Sequence, residues 1–213
     1  MATKKAATTT QIIIPPANMR TMSIKIVGTA PFVQNKFSAK AALEILSKQI
    51  AGSTAGSKKK RSARDIDDEF KNAMHIGEDG THGIPCSAFR SAMISACRLV
   101  GFQMTKAKLS VFVQHDTIDE TEGTGLVRLI SDKEPELNQS HVRLESGVTS
   151  IAIRPMWREW AAVVKVKWDS DQFTQQDVIN LMSRAGQQVG VGEGRPDSKK
   201  SHGMGWGTFE VQN

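Results

Sequence analysis

Apolar positions recur along this chain at two periods. From Met22 to Gly28 they alternate, with Met22, Ile24 and Ile26 on one side and Ser23, Lys25 and Val27 on the other. A period of two predicts a half-buried strand, which Gly28 ends. Trp160–Trp168 alternates more strongly. Trp160, Ala162, Val164, Val166 and Trp168 share one face, and Ala161, Val163, Lys165 and Lys167 share the other. Leu109–His115 repeats the pattern through Leu109, Val111 and Val113. Shorter strands are expected at Leu126–Ile130, Val142–Leu144 and Ser150–Ile153 and near Trp206–Val211, with loops at Asp116–Gly125 and Ser131–Ser140.

Helical spacing fills the remainder. In Ser38–Ile50, Ser38 stands at an N-cap and Leu43, Leu46 and Ile50 fall at i, i+3 and i+7. Asp65–Met74 reads as a short helix with acids in its first turn and Ile66, Phe70 and Ala73 inward. In Gly83–Gly101, Pro85 sets an extended approach and Ser87 is placed to cap. Phe89, Met93, Ala96 and Val100 form one buried stripe, and Gly101 ends the helix. Thr174 caps a last helix running to Val189, with Val178, Leu181 or Met182, Ala185 and Val189 inward. Stripped of loops, the order is strand, helix, strand, strand, helix, strand. That order predicts an α+β fold, the split βαβ arrangement of a ferredoxin-like or modified RNA-recognition-motif core, βαββαβ. Residues 1–20 read as a flexible tail and 21–213 as one domain, with a helical-loop insertion at about 38–80.

Composition narrows the partner. The chain has 213 residues and a formal net charge of +6, which favours an anionic partner. Cys86 and Cys97 are its only cysteines, too few for a disulfide framework and without zinc spacing to any histidine. No metal or cofactor is expected. A reducing, cytoplasmic setting is expected, with no membrane partner, because no apolar run reaches about 18 residues. The first residues carry lysines and no apolar run of the kind a signal peptide needs.

The charge is concentrated in places. Ala51–Arg64 is rich in Gly, Ser and Ala and holds Lys58, Lys59, Lys60 and Arg61, a basic loop suited to gripping nucleic acid. The stretch GVGEGRPDSKKSHGMGWGTFEV, residues 190–211, has glycines at 190, 192, 194, 203, 205 and 207 around Arg195, Lys199 and Lys200. Glycines let another backbone approach closely. The stretch reads either as a phosphate cradle, its N–H groups beside basic side chains with Gly192 and Gly194 central, or as a long glycine-rich turn into the terminal strand. The spacing fits neither a P-loop nor a dinucleotide fingerprint, because here a helix precedes and a strand follows. The start of the Ser87 helix offers a second anion site, with Ser87 and Arg90 beside its free N–H groups. Trp157 and Arg158 together suit base stacking, whereas Trp160 and Trp168 belong to the core face. Lys25, Lys165 and Lys167 form a further basic surface if their strands pair.

The helix start Ile84-Pro85-Cys86-Ser87-Ala88-Phe89-Arg90 and the terminal glycine-rich stretch resemble two motifs of the RAMP superfamily. The first is its "IPGSSLRG" helix start, with Cys86 where glycine is usual, and the second its C-terminal glycine-rich loop and strand. The nearest likeness is to backbone subunits of CRISPR effector complexes and to small phage proteins similar to them. The resemblance implies a modified RNA-recognition-motif core that binds single-stranded RNA or DNA along a filament of like copies. Histidines stand at 75, 82, 115, 141 and 202, and no pair has a diagnostic spacing. Binding without cleavage is therefore expected. The alternatives are a RAMP-type endoribonuclease using His82 or His202, which border the two motifs, and a phage structural or assembly protein.

Overall fold

The computed structural model describes residues 14–52, 64–143, 147, 149–198 and 204–212. In chain order the elements are β1 (Met19–Gly28), β2 (Phe32–Val33), α1 (Ala39–Ala51), α2 (Ile66–Asn72), β3 (Gly83–Pro85) and α3 (Cys86–Ala96). There follow α4 (Met104–Ser110), β4 (Val111–Gln114), β5 (Thr117–Ile118), β6 (Gly125–Ile130), β7 (Glu136–Arg143) and β8 (Thr149–Trp157). The chain ends with β9 (Ala161–Asp169), α5 (Gln175–Arg184) and β10 (Phe209–Val211). The protein is α+β, and all its strand pairs are antiparallel among the described residues.

The two strongly alternating segments are the central strands of the main sheet. β1 lies between β10 and β9, in register Met22↔Val166, Ile24↔Val164 and Ile26↔Ala162. The other edge of β9 takes β4, from Val111↔Trp168 to Gln114↔Lys165, and then the end of β6, at Leu129↔Ala162 and Ile130↔Ala161. β4 and β6 are thus two pieces of one strand position beside β9, parted by the excursion 115–128. Within the excursion β6 also pairs with β5 and β3. A second sheet has the order β2-β8-β7, and its Phe32 and Trp157 join the same core as the first.

Period-two burial follows directly from the pleat. Ile24, Ile26, Ala162, Val164, Val166 and Trp168 are buried in one cluster with Phe89 and Met93 of α3 and Val178, Leu181 and Met182 of α5. The opposite sheet face, with Ser23, Lys25, Val163 and Lys165, is exposed. The helix α5 starts as its sequence predicts. Thr174 and Asp177 form a reciprocal capping box, with Thr174 N–H donating to Asp177 Oδ2 at 2.9 Å. After Arg184 the helix widens into a π-turn, Ala185–Val189, where Gly186 lets the backbone of β10 lie against it. A Cβ at Gly186 would sit 2.2 Å from the Phe209 carbonyl oxygen. That turn aims the glycine-rich stretch at α3.

Several expectations need correction. Ser87 does not cap α3: the helix begins at Cys86, Pro85 occupies the cap position, and Ser87 lies in the first turn without a capping bond. Phe89, Met93 and Ala96 are buried, but Val100 is 51% exposed because the chain tightens into a 3-10 turn from Cys97. The stripe Leu43, Leu46 and Ile50 of α1 faces outward, as does Ile66. Leu109 and Ser110 end the helix α4 instead of opening a strand, and Leu109 is exposed. The short strands expected near 142 and 150 are parts of one long hairpin, β7–β8, which begins at Glu136 inside the expected loop.

Candidate nucleic-acid interface

The helix start of α3 and the loop after α5, about a hundred residues apart in sequence, line one groove of about 720 Å3. On the α3 side, Ser87, Ser91 and Ser95 point into it at four-residue intervals, one face of the helix. Across from them run Val189–Arg195 with Asp197 and Ser198. Gln34, Asn35 and His75 close the groove on another side, with Ser140 and His141 of the β7–β8 hairpin beside them.

The loop is built on close backbone approach. Gly192 has φ +81°, and a Cβ there would sit 2.5 Å from the Val33 carbonyl oxygen. Next to it, Glu193 N–H donates to that same carbonyl at 2.9 Å, so the loop is hydrogen-bonded to β2. Gly194, also at positive φ, packs against the Trp206 ring, while Trp206 N–H donates back to the Gly194 carbonyl at 3.2 Å. These glycines serve contact with the protein itself, and the donors of Glu193 and Trp206 are spent inside it. What the loop offers the groove is side chains. Arg195 lines it, held by an Nη1 bond to the Gly192 carbonyl at 2.9 Å. Two of the loop's acids bind arginines of the body. Glu193 accepts from Arg154 Nε at 2.8 Å, and Asp197 accepts from Arg98 Nη2 at 2.6 Å and from the Ser95 hydroxyl.

Of the residues singled out in the sequence, the fold brings Ser87, Gly192, Gly194 and Arg195 together in this groove. Lys25, Lys165 and Lys167 do share a surface, the outer face of the main sheet, where Lys165 pairs with Asp116 at 2.8 Å. Arg158 is exposed and paired with Glu136 at 2.7 Å. Trp157 is not a base platform: it is 2% exposed, packed against Phe32 and His82 where β2 meets β8. Its position at the end of a strand of the second sheet buries it, and nothing in the alternation of the main sheet announces that. Lys58, Lys59, Lys60, Arg61, Lys199, Lys200 and His202 lie outside the described residues.

Arg90 also turns away from the groove. Its Nε donates to the Val111 carbonyl at 2.9 Å and its Nη2 to the Lys108 carbonyl, with the guanidinium 5.3 Å from the Phe112 ring centroid. It clamps the α4–β4 corner onto α3. Arg90→Ala is expected to lower stability by roughly 1–3 kcal/mol, mainly the cost of leaving the part-buried Val111 carbonyl unpaired. A urea titration checks this.

One polar cluster escaped the sequence reading. Lys36 Nζ donates to Asp119 Oδ1 and Oδ2 at 2.8 and 3.0 Å, and His75 Nδ1 lies 2.8 Å from Oδ2. The Asp119 side chain is fully buried and that of Lys36 nearly so. Burial alone raises the Asp119 pKa, but the bonds from Lys36, the Glu122 and Thr121 N–H groups and His75 outweigh it and hold it down at about 2. Gln34 completes the frame, accepting from His75 N–H at 2.8 Å and donating to the Gly83 carbonyl at 2.8 Å. With Nδ1 directed at Asp119, the ring atom of His75 left for the groove is Nε2. Four separate segments supply this cluster, so no spacing signals it.

No family model matches the chain, and no curated protein matches it. A chain in the cryo-EM structure of the Type III-B Cmr-beta bound to cognate target RNA matches with TM-score 0.46 and 9% sequence identity, over 92% of this chain and 59% of that one. This chain therefore spans about three fifths of the length of the solved chain it matches. No helix among the described residues is long and apolar enough to cross a membrane.

Proposed function

We propose that the protein is a RAMP-like, non-catalytic binder of single-stranded RNA or DNA whose copies assemble side by side along the strand. On this reading the main sheet with α3 and α5 is a ferredoxin-like core: β1, α3, the split β4/β6 strand, β9, α5 and β10 follow the strand–helix–strand–strand–helix–strand order. One observation carries the function. The two segments that resemble RAMP motifs in sequence line the same groove, and Arg195 stands in it. The net charge of +6 supports an anionic ligand.

Fluorescence anisotropy with labelled single-stranded RNA and DNA across a salt series tests the reading. Affinity is expected to fall with a log–log slope of about −0.7 for each neutralised phosphate. A flat salt response would remove the electrostatic basis. Mass measurement with and without a strand of several tens of nucleotides tests assembly, and a monomer in both samples would count against it.

A second reading, metal-independent RNA cleavage, draws on one observation: His75, oriented by Asp119, lines the groove together with His141. Recovering the RNA from the same titrations, with a chelator present, separates the two. Intact strands support the binder, and fragments that vanish in His75→Ala support the enzyme.

A further inference from the structure

The Ser95–Arg98–Asp197 contact lies at the end of the serine face of α3, where the groove meets the 3-10 turn. Ser95 Oγ and Arg98 Nη2 both donate to the same carboxylate oxygen, Asp197 Oδ2, and Arg98 Nη2 bonds the Ser95 hydroxyl as well. A second anchor steadies the guanidinium, its Nε donating to the Ser95 carbonyl at 3.2 Å. Two donors three residues apart, Ser95 in the last turn of α3 and Arg98 in the 3-10 turn that continues it, converge on one oxygen, an arrangement that also binds a phosphate oxygen. Here the protein fills it with its own carboxylate, carried on the glycine-rich loop.

We propose that Ser95 and Arg98 form a seat for a backbone phosphodiester, which Asp197 occupies while the groove is empty and which an entering strand takes over. This rests on the single-strand reading above and adds one phosphate position to it. The loop's two acid–arginine pairs differ in a way that fits. Arg154 and Glu193 have side chains 23% and 25% exposed, and that pair fastens the loop to β8. Arg98 and Asp197 are 55% and 37% exposed, so solvent and ligand reach the second pair and can exchange it. The seat stabilises negative charge: the Ser95 hydroxyl, then Arg98, lowers the Asp197 pKa against the opposing effect of burial, and Arg195 adds to this at longer range. Exchanging carboxylate for phosphodiester keeps one anion on the donors and leaves Asp197 hydrated.

Asp197→Asn tests this directly, with Ser95→Ala and the double variant completing a cycle. A thermal melt confirms that each is folded, as expected for an exposed pair. Asp197→Asn is expected to bind a labelled single strand about three- to tenfold more tightly, with a salt slope steeper by about 0.7. Ser95→Ala carries no charge change. It should abolish most of that gain in the double variant, whereas a long-range charge effect would leave the gain intact. Equal or weaker binding by Asp197→Asn, or a gain that survives Ser95→Ala, overturns the seat while the wild-type salt dependence leaves the single-strand reading standing. If no sample binds a strand, that reading falls, and the seat is judged by pyrophosphate titrated into Asp197→Asn and wild type. Shifts of the Ser95 and Arg98 amide resonances in the variant alone support it, and their absence in both ends it.

Discussion

Asp119→Ala is expected to cost roughly 3–5 kcal/mol of stability, the range for breaking a buried ion pair by removing one partner. The variant leaves the Lys36 ammonium in a site where its side chain is 7% exposed, and strips His75 of the group that orients it. It also frees the Thr121 and Glu122 N–H groups that Asp119 Oδ1 accepts from at 2.9 Å each. A domain of this size has of order 5–15 kcal/mol in total, so the loss takes a large share of its stability. Urea unfolding of wild type and variant measures it, and a difference under about 1 kcal/mol would contradict the account.

The same cluster contributes to the acid sensitivity of the fold. The Asp119 pKa is depressed from 3.8 to about 2 in the folded chain. A depressed carboxylate contributes its stability in full above its unfolded pKa and loses it as pH falls through the folded one. Stability from this group is therefore expected to decline between about pH 4 and pH 2, by about 2 kcal/mol. Melting temperatures measured across that interval should fall in wild type more than in an already destabilised Asp119→Asn protein.

Gly207→Ala is the second large effect. Gly207 has φ +67°, and an added Cβ would sit 1.7 Å from the Val191 carbonyl oxygen. No side-chain rotamer relieves a clash with backbone. The surrounding bonds hold the strand ends together on both sides: Gly207 N–H donates to the Pro31 carbonyl at 2.8 Å, and Val191 N–H to the Gly207 carbonyl at 2.9 Å. Relief therefore means moving Val191, and with it the loop that carries Gly192 and Arg195. Strain of a non-glycine residue at this φ is about 1–3 kcal/mol, to which the displaced packing of Val191 adds. The expected outcome is a lower melting temperature and, on the proposed single-strand reading, weaker strand binding. Gly205→Ala is the control. Its φ is also positive, but nothing lies within 4 Å of its Cβ, so strain should appear without loop displacement.

Some of this molecule was legible because local pattern and burial coincide. In β1 and β9 each residue faces either the helices or solvent, so alternation at Met22–Ile26 and Trp160–Trp168 maps directly onto the two sheet faces. The start of α5 was legible for a similar reason, since a Thr174–Asp177 box is made within four residues. The outward face of α1 was not. Its stripe at Leu43, Leu46 and Ile50 has the spacing of a buried helix, but spacing says nothing about whether another element lies opposite. Trp157 and Arg90 failed in the same manner, one buried by its pairing with β2 and the other claimed by carbonyls twenty residues away.

The sequence by itself determined the order of the main strands and helices, the Thr174 cap of α5 and the positive charge. Those are properties of single residues and of neighbours within a few positions, where backbone sterics and hydrophobic period act. Tertiary structure alone decided that the helix start of α3 and the glycine-rich loop share a groove, and that the loop's glycines serve contact with β2 and Trp206. It also decided that Asp119 meets Lys36 and His75, and that Asp197 meets Ser95 and Arg98. Apart from the Gly194–Trp206 contact, these join residues dozens of positions apart, and their energies depend on burial and on converging donors, which exist only once the sheets and helices have packed.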